Sequence, residues 1–599
     1  MVIADYSAKR GKKSVKLFLS GDEAIARGAY EYGATFAAAY PGTPSTEIIE
    51  NLIPYKEVYA EWSTNEKVAL EVGLGASLAG SRVVVAMKHV GVNVAADPLF
   101  TAAYTGVNGG LVLVSADDPT MHSSQNEQDN RNVAPFAKIP MLEPADSQEA
   151  KDLVGEGFKI SEEFDTPVLM RITTRIAHGK GLVECQKRQE PPRREYKKNS
   201  PKYCMVPAFA RQRRLVVEER TARLKEFSET FPYNRIEWGP KDVGVITSGI
   251  SYQYAKEVFG DEVSYLKLAF TWPLPEKMIR EFASKVKKIY VIEELDPYLE
   301  TQIRALGIEV IGKEVIPNMF ELSAEILREK ILGEKVAEEE KLDVPVTPRP
   351  PVLCAGCPHR PIFHVVKKLG LTAMGDIGCY GLGVAPPLEA VDTTVCMGAS
   401  IGMSHGFQKA SAWLGDNKKA VGIIGDSTFF HGGMTGLADM VFNKGAGVVL
   451  VLDNRTTAMT GHQPHPGTGI TAKGEATEEI KIEDVARSMG VKDVAVVDSY
   501  DLEAVEKAIR HALDFDGPSV VVFRRACALL KGQEKLPPLE IDQETCTKCH
   551  SCLRIGCPAL VHHPDKSVTI DVNACTGCTV CAQVCPFDAI AKVGGEVRG

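Results

Sequence analysis

Of the 15 cysteines in this 599-residue chain, eight fall between positions 546 and 585. They form two runs, Cys546-x2-Cys549-x2-Cys552-x4-Cys557-Pro558 and Cys575-x2-Cys578-x2-Cys581-x3-Cys585-Pro586. Doubled runs of this kind hold two [4Fe–4S] cubanes, and the last Cys of each run crosses to the other cluster. That rule assigns Cys546, Cys549, Cys552 and Cys585 to one cluster, and Cys575, Cys578, Cys581 and Cys557 to the other. The runs are an internal repeat, because Ile541-Asp542 precedes Cys546 as Ile570-Asp571 precedes Cys575. A zinc site takes four ligands, not eight with a repeated proline. The first run has one extra residue before its last Cys, which widens a loop and leaves the ligand count intact. Such a module moves electrons one at a time, and the rest of the chain must supply the reaction they come from.

The clearest chemistry outside these runs lies between Val421 and Thr457 (VGIIGDSTFFHGGMTGLADMVFNKGAGVVLVLDNRTT). One strand ends at Gly425-Asp426 and the next at Asp453-Asn454, the C-terminal edge at which parallel sheets bind ligands. The helix after Gly425 offers N–H groups and a positive dipole end to a phosphate. Asp426 and Asn454 are hard oxygen donors suited to Mg²⁺. A plain doubly wound domain with a chance Gly-Asp and Asp-Asn pair is the alternative. Two histidines in or beside such segments, His359 and His431, are candidates to move protons or touch substrate. Cys354-x2-Cys357, Cys379 and Cys527 could hold a third cluster, a structural zinc or no metal. Cys185, Cys204 and Cys396 have no partners and read as buried thiols. Nearer the N-terminus, Glu66 opens a helix of small residues, with Glu61 and Glu71 as competing carboxylates. Pro41 and Pro44 stiffen the turn Tyr40-Pro41-Gly42-Thr43-Pro44-Ser45. Arg131 is a candidate clamp for a substrate carboxylate.

Parallel sheets are needed to present these groups. Continuous apolar runs (SRVVVAMK, GGLVLVSADD, TPVLMRIT; DVGVITSG, KKIYVIEE, IEVIG; AVGIIGDS, GVVLVLDN, PSVVVFRR) alternate with helical stretches, as in sheets covered on both faces. Polar, proline-bearing stretches at Gln186–Ser200, Gly333–Pro351 and Lys531–Glu540 separate them. The expectation is an α/β chain of three doubly wound domains, 1–185, 241–335 and 353–530. Linker regions occupy 186–240 and 336–352, and the two-cluster module 541–599. At 44% hydrophobic and 25% charged, the composition is that of a soluble globular protein. A net charge of −9 argues against a nucleic-acid partner. No apolar run is long enough to span a membrane, and the first residues lack a signal-peptide core. The expected location is the cytoplasm, where cysteine motifs mean metal or catalysis rather than disulfides.

These segments together resemble the thiamin diphosphate-dependent 2-oxoacid:ferredoxin oxidoreductases. Gly425-Asp426-Ser427 followed by Asn454 resembles the thiamin diphosphate motif, with Ser427 where that motif usually has Gly. The resemblance implies Mg²⁺ held by Asp426, Asn454 and the carbonyl of Thr456. Asn65-Glu66-x2-Ala69 resembles a segment whose carboxylate activates the cofactor's pyrimidine, which implies that role for Glu66. The Tyr40–Ser45 loop resembles one that lays its Thr, here Thr43, against cofactor and substrate, with Tyr40, Pro41 and Gly42 beside it. Cys354, Cys357, Cys379 and Cys527 follow the order of that family's proximal cluster ligands. The TSGISYQYAKEV and WPLPEKMI segments imply that the middle domain is transketolase-C-like. CAGCPHR, GDSTFFHGGMTGL and the fused bacterial-type ferredoxin resemble the large subunit of the indolepyruvate branch. The implied reaction is oxidative decarboxylation of an arylpyruvate with coenzyme A, giving an aryl-acetyl-CoA and CO₂. Electrons would pass through the clusters to an external ferredoxin. A small second subunit is implied, in an α2β2 assembly. The alternatives are the same reaction on another 2-oxo acid, or a non-oxidative thiamin-dependent decarboxylase.

Overall fold

A computed structural model describes residues 15–191, 194–334, 350–416, 418–533 and 536–593. The expected linkers at 336–352 and around 192–193 and 534–535 fall wholly or partly outside the described residues. The chain divides into two compact units, 1–342 and 343–599. Among the described residues no helix is long and apolar enough to cross a membrane.

The first unit is built on a seven-stranded sheet. Its order is Phe270–Trp272, Met141–Leu142, Val168–Thr173, Leu111–Asp117, Val83–Lys88, Phe36–Ala39 and Tyr59–Trp62. All neighbours are parallel except the antiparallel edge at Phe270–Trp272. Val83–Lys88 and Leu111–Asp117 are buried at every position, as parallel strands covered on both faces must be. Helices Gly21–Glu31 and Ser147–Phe164 cover one face through Ile25, Leu153 and Phe158. Glu66–Leu78 and Ala96–Thr105 cover the other through Leu70 and Leu99. The helix starts are set by short side chains. Ser20 and Glu23 form a reciprocal capping box, and Asn65 and Asp146 each accept an N–H from the following turn.

A second sheet in this unit runs Lys288–Ile292, Val243–Ser248, Ser264–Leu268 and Arg235–Glu237, the last antiparallel. The chain leaves it at Ala269 and pairs at once with Met141–Leu142 of the larger sheet. Asn234 holds that crossing, its Oδ1 accepting from the Ala269 and Phe270 amides at 2.8 and 2.9 Å. The structure departs from expectation at four places. IEVIG makes one bridge, Tyr290 to Ile311, rather than a strand. Within the expected linker region, Pro207–Ser228 is a helix whose Val217, Arg220 and Leu224 are buried. Of the three unpartnered thiols only Cys185 is buried, while Cys204 and Cys396 are exposed.

Arg131 is the fourth departure. It is 1% exposed and stitches the two sheets together rather than facing a ligand. Its Nε and Nη2 donate to Asp129, and its Nη1 donates to Glu293 Oε2 at 2.6 Å. Nη2 also donates to the carbonyls of Glu294 and Asp296, and the guanidinium lies 5.1 Å from the Tyr298 ring centre. With Nε, Nη1 and Nη2 all engaged inside the fold, the group has the surroundings of a brace, not of a carboxylate clamp.

In the second unit a parallel five-stranded sheet runs Thr372–Met374, Ala420–Gly425, Val448–Asp453, Ser519–Arg524 and Asp493–Asp498. Leu450 and Leu452 face helices Arg360–Lys368 and Leu502–Asp514. Val449 and Val451 face Ala399–Trp413, Met434–Phe442 and Ile482–Ser488. The cysteine-rich module adds two short antiparallel ribbons, Leu539–Ile541 with Ile590–Lys592 and Leu560–His562 with Val568–Ile570.

Replacing Arg131 with Met strips the counter-charge from Asp129 and Glu293. The expected loss is about 3–5 kcal/mol, the range for breaking a buried ionic group, read as a lower melting temperature. An unchanged melting temperature would argue against the brace.

Candidate functional site

The neighbouring strands Ala420–Gly425 and Val448–Asp453 run parallel and in close register, so the residues that follow them meet at one edge. Asp426 lies there, 3% exposed. Its Oδ1 accepts from the Ser427 amide at 2.9 Å. Its Oδ2 accepts from the Thr456 amide at 3.2 Å and lies 3.0 Å from His465 Nε2. Burial alone would raise this carboxyl, but His465 and the Ser427 amide hold it below the usual carboxylate range. Next door, burial and the Asp426 charge push Asp453 up to about 6 against the pull of Arg524.

The Asn454 amide completes the cluster. With its nitrogen turned inward it donates to Asp426 Oδ1 at 3.2 Å and to the Thr456 carbonyl at 2.8 Å. With its oxygen turned inward, three oxygens face one point, the donor set of a small hard cation. The residues present therefore fit Mg²⁺. Ser427, which stands where the usual motif has Gly, accepts from the Thr457 hydroxyl at 2.9 Å and ties the two strand ends together. The helix that starts at Asp426 widens into a π-turn over Phe429–Gly433, with His431 buried in it; such turns are frequent at functional sites. His359 is also buried, and desolvation lowers it to about 4 despite Asp426, so its imidazole is neutral near pH 7.

Four cysteines gather beside this cluster. Cys379 lies within electrostatic reach of Cys527, Cys354 and Asp426, and Cys357 within reach of Cys379 and Cys354. The Cys527 amide donates to the Asn454 carbonyl at 2.9 Å, so this distant cysteine is anchored on the cation motif itself. Burial pushes Cys357 up to about 12 and Cys379 up to about 11. Such thiols ionise only when a metal's charge replaces the proton. In the C-terminal module Cys552 lies near Cys546 and Cys585, and Cys578 near Cys557 and Cys575. Cys546, Cys549, Cys552 and Cys585 line one small cavity.

In the first unit Glu66 is 6% exposed at the start of its helix. Glu61 is half-buried, and Glu71 is exposed and paired with Lys67. Gly91 makes room for the Glu66 carboxylate, since a Cβ there would lie 2.6 Å from Glu66 Cγ and 2.8 Å from Oε1. Thr43 lines a cavity of about 490 Å³ with Asp118, Ser123, Arg175 and His178. The Tyr40–Ser45 turn is closed by Ser45 Oγ donating to the Gly42 carbonyl at 2.8 Å and by the Gly42 amide donating to Thr46 Oγ1 at 3.0 Å. Tyr40 is buried.

Two side chains carry more of the site than the sequence reading gave them. His465 sits on a Gly/Pro loop 39 residues beyond Asp426, yet bonds it directly. Lys88 ends a buried strand and donates to the Ser123 carbonyl at 2.6 Å, while the Ser123 hydroxyl donates to the Thr43 carbonyl at 3.2 Å. A lysine closing an otherwise apolar strand was the one available signal for it.

Comparisons with known proteins divide along the same lines. Residues 27–230 match the family described as Pyruvate flavodoxin/ferredoxin oxidoreductase, thiamine diP-bdg. Residues 376–523 match Thiamine pyrophosphate enzyme, C-terminal TPP binding domain, and residues 538–594 match 4Fe-4S dicluster domain. The chain is 44% identical to Indolepyruvate oxidoreductase subunit IorA of Archaeoglobus fulgidus, covering 97% of this chain and 98% of the relative. It is 43% identical to the protein of the same name from Pyrococcus horikoshii, with the same coverage. The 2-oxoglutarate synthase subunit KorA of Methanothermobacter marburgensis is 27% identical over 53% of this chain and 99% of its own.

Asn454→Ala removes one oxygen of the cation set. Titration of thiamin diphosphate in the presence of Mg²⁺ should show binding at least about tenfold weaker, or about 1.4 kcal/mol. Equal affinity with and without the amide would remove Asn454 from the site.

Proposed function

The chain belongs to the indolepyruvate oxidoreductase family of IorA subunits, and on that premise we propose that it catalyses the coenzyme A-dependent oxidative decarboxylation of an arylpyruvate of the indolepyruvate type. The products are an aryl-acetyl-CoA and CO₂, and the electrons leave through iron–sulfur clusters to an external ferredoxin. One observation carries the oxidative half of this reading: Cys379 and Cys527 lie within electrostatic reach of Asp426. Redox-competent ligands beside the cation motif suit a reaction that draws electrons from the bound substrate. They have no use in a non-oxidative decarboxylase.

Bound thiamin diphosphate supplies the decarboxylating chemistry. On this reading Asp426, Asn454 and the Thr456 carbonyl hold its Mg²⁺, and the helix start at Asp426 and Ser427 turns N–H groups to the diphosphate. Glu66 shares a proton with the pyrimidine ring from a buried carboxyl, the setting that favours such sharing. Thr43 orients substrate, the neutral imidazole of His359 bonds rather than repels, and His431 offers a second buried imidazole in the turn that follows Asp426. Cys354, Cys357, Cys379 and Cys527 hold a proximal cluster. Cys546, Cys549, Cys552 and Cys585 hold a second, and Cys575, Cys578, Cys581 and Cys557 a third. The relatives are named as subunits, which supports a companion chain; the reading completes it as a small second subunit in an α2β2 assembly in the cytoplasm.

A second reading keeps the machinery and changes the 2-oxo acid. The KorA relative, named for 2-oxoglutarate, favours it over half of the chain. Rates with indolepyruvate, phenylpyruvate, pyruvate and 2-oxoglutarate, each with coenzyme A and a viologen dye, separate the two. Indolepyruvate should reduce the dye fastest. Aldehyde release without dye reduction would sink the oxidative reading altogether. Glu66→Gln should lower dye reduction by about a hundredfold or more, the scale of a lost acid–base group, at unchanged iron content.

A further inference from the structure

Arg360 is 4% exposed, and its guanidinium reaches two separate limbs of the second unit. On the CxxC limb, Nε donates to the Cys354 carbonyl at 3.1 Å and Nη2 to that of Leu353. On the limb that leads to Cys557, Nη1 donates to the carbonyls of Ile555 at 3.2 Å and Gly556 at 2.5 Å. Every one of these acceptors is a neutral carbonyl, and among the described residues no carboxylate pairs with Arg360. A guanidinium stays charged when buried, and a buried charge without a counter-ion is strongly destabilising. The groups that feel its charge are thiols from both sides, Cys557 and Cys578 of the module and Cys357 and Cys354 of the CxxC loop.

The same junction is clamped twice more. Gly356 lies so close to the module that a Cβ there would sit 2.0 Å from Thr576 Oγ1, between Cys575 and Cys578. The Tyr500 hydroxyl donates to the Gly356 carbonyl, and Gln583 Nε2 donates to the Tyr500 carbonyl at 2.7 Å. The other ligand set, Cys546 to Cys585, has no such contact with the CxxC loop among the described residues, and its Cys549 is exposed.

We infer that Arg360 is the fixed counter-charge shared by the CxxC cluster and the cluster of Cys557, Cys575, Cys578 and Cys581, which makes the latter the first acceptor in the module and the Cys546 cluster its outlet. The inference rests on the reading that both sets hold cubanes. Each transfer moves one electron from one cubane to the next, and no bond or proton moves with it. The receiving cubane gains a negative charge, which a nearby guanidinium stabilises. Net charge and hydrogen bonding around a cluster are the terms that set its potential. Arg360 is on this account a positioning and tuning residue.

The test compares Arg360→Lys, Arg360→Gln and Arg360→Met in the anaerobically purified full chain. Iron is counted first, and the cluster potentials are then followed by electron paramagnetic resonance during a redox titration. The Lys variant should keep the parent potentials. The neutral variants should show one or two cubanes harder to reduce by about tenfold in electron partition, or about 59 mV, with the remaining signal unmoved. Loss of iron from the neutral variants alone, with Lys intact, supports the same dependence on charge. Unmoved potentials in an iron-replete neutral variant overturn the inference. So does a Lys variant as impaired as Met, which would make Arg360 a purely steric brace. About twelve iron atoms per parent chain match three cubanes. A parent holding about eight would remove the proximal cluster and, with it, the shared role inferred for Arg360, whereas about twelve with unmoved potentials would overturn the inference alone.

Discussion

A carboxylate buried at the end of a parallel strand must be met by positive charge, and the second unit is arranged around that requirement at Asp426. Two backbone amides turn their positive N–H ends to it, and His465 Nε2 lies 3.0 Å from its Oδ2. The sheet order supplies the rest. Because Ala420–Gly425 and Val448–Asp453 are neighbours running the same way, Asp426, Asn454 and Thr456 meet without any long-range search. Arg524 then answers Asp453, bonding it at 2.7 Å and Glu483 beyond it. The cysteines at 379 and 527 lie within reach of the same charge. One strand edge thus brings the hard oxygens of Asp426 and Asn454 and the thiols of Cys379 and Cys527 into one neighbourhood.

The first unit solves a related problem with a larger network. Arg131 and Arg171 sit among Asp117, Asp129, Glu143 and Glu293, whose side chains are all buried. Burial dominates, raising Asp117 to about 6 and Glu294 to about 7. The consequence is local order around the Thr43 turn. The Asn130 amide is held by Asp117 at 3.0 Å, and Asp118 accepts from the Ser123 amide at 2.9 Å. Ser123 in turn meets Thr43 and Lys88. A group that first reads as a ligand clamp is the anchor of the loop on which the Tyr40–Ser45 turn rests.

What was legible in the sequence is what local spacing dictates. Cluster ligands need fixed offsets, so the two cysteine runs could be read directly. Buried parallel strands need unbroken apolar runs, so Val83–Lys88, Leu111–Asp117 and Val448–Asp453 could be placed. Partners far apart in the chain could not be read. Nothing near Arg131 announces Glu293, 162 residues on. Helix Pro207–Ser228 shows a mostly polar face, and its few buried residues leave no clear stripe. His465 could be read only as far as its loop, a Gly/Pro segment able to cap a site just past the motif, because such a loop signals turns rather than a bond to one buried carboxylate. Cys527, an isolated thiol by spacing, is joined to the motif by its backbone amide, which no side-chain pattern can reveal.

The amide of Asn454 has two useful faces. Turned one way it closes the gap between Asp426 and the Thr456 carbonyl with its own N–H groups. Turned the other way it opens a seat for a dication. An amide here can act as donor or acceptor, where an ionised aspartate could only accept and would set another charge beside Asp426 and Asp453.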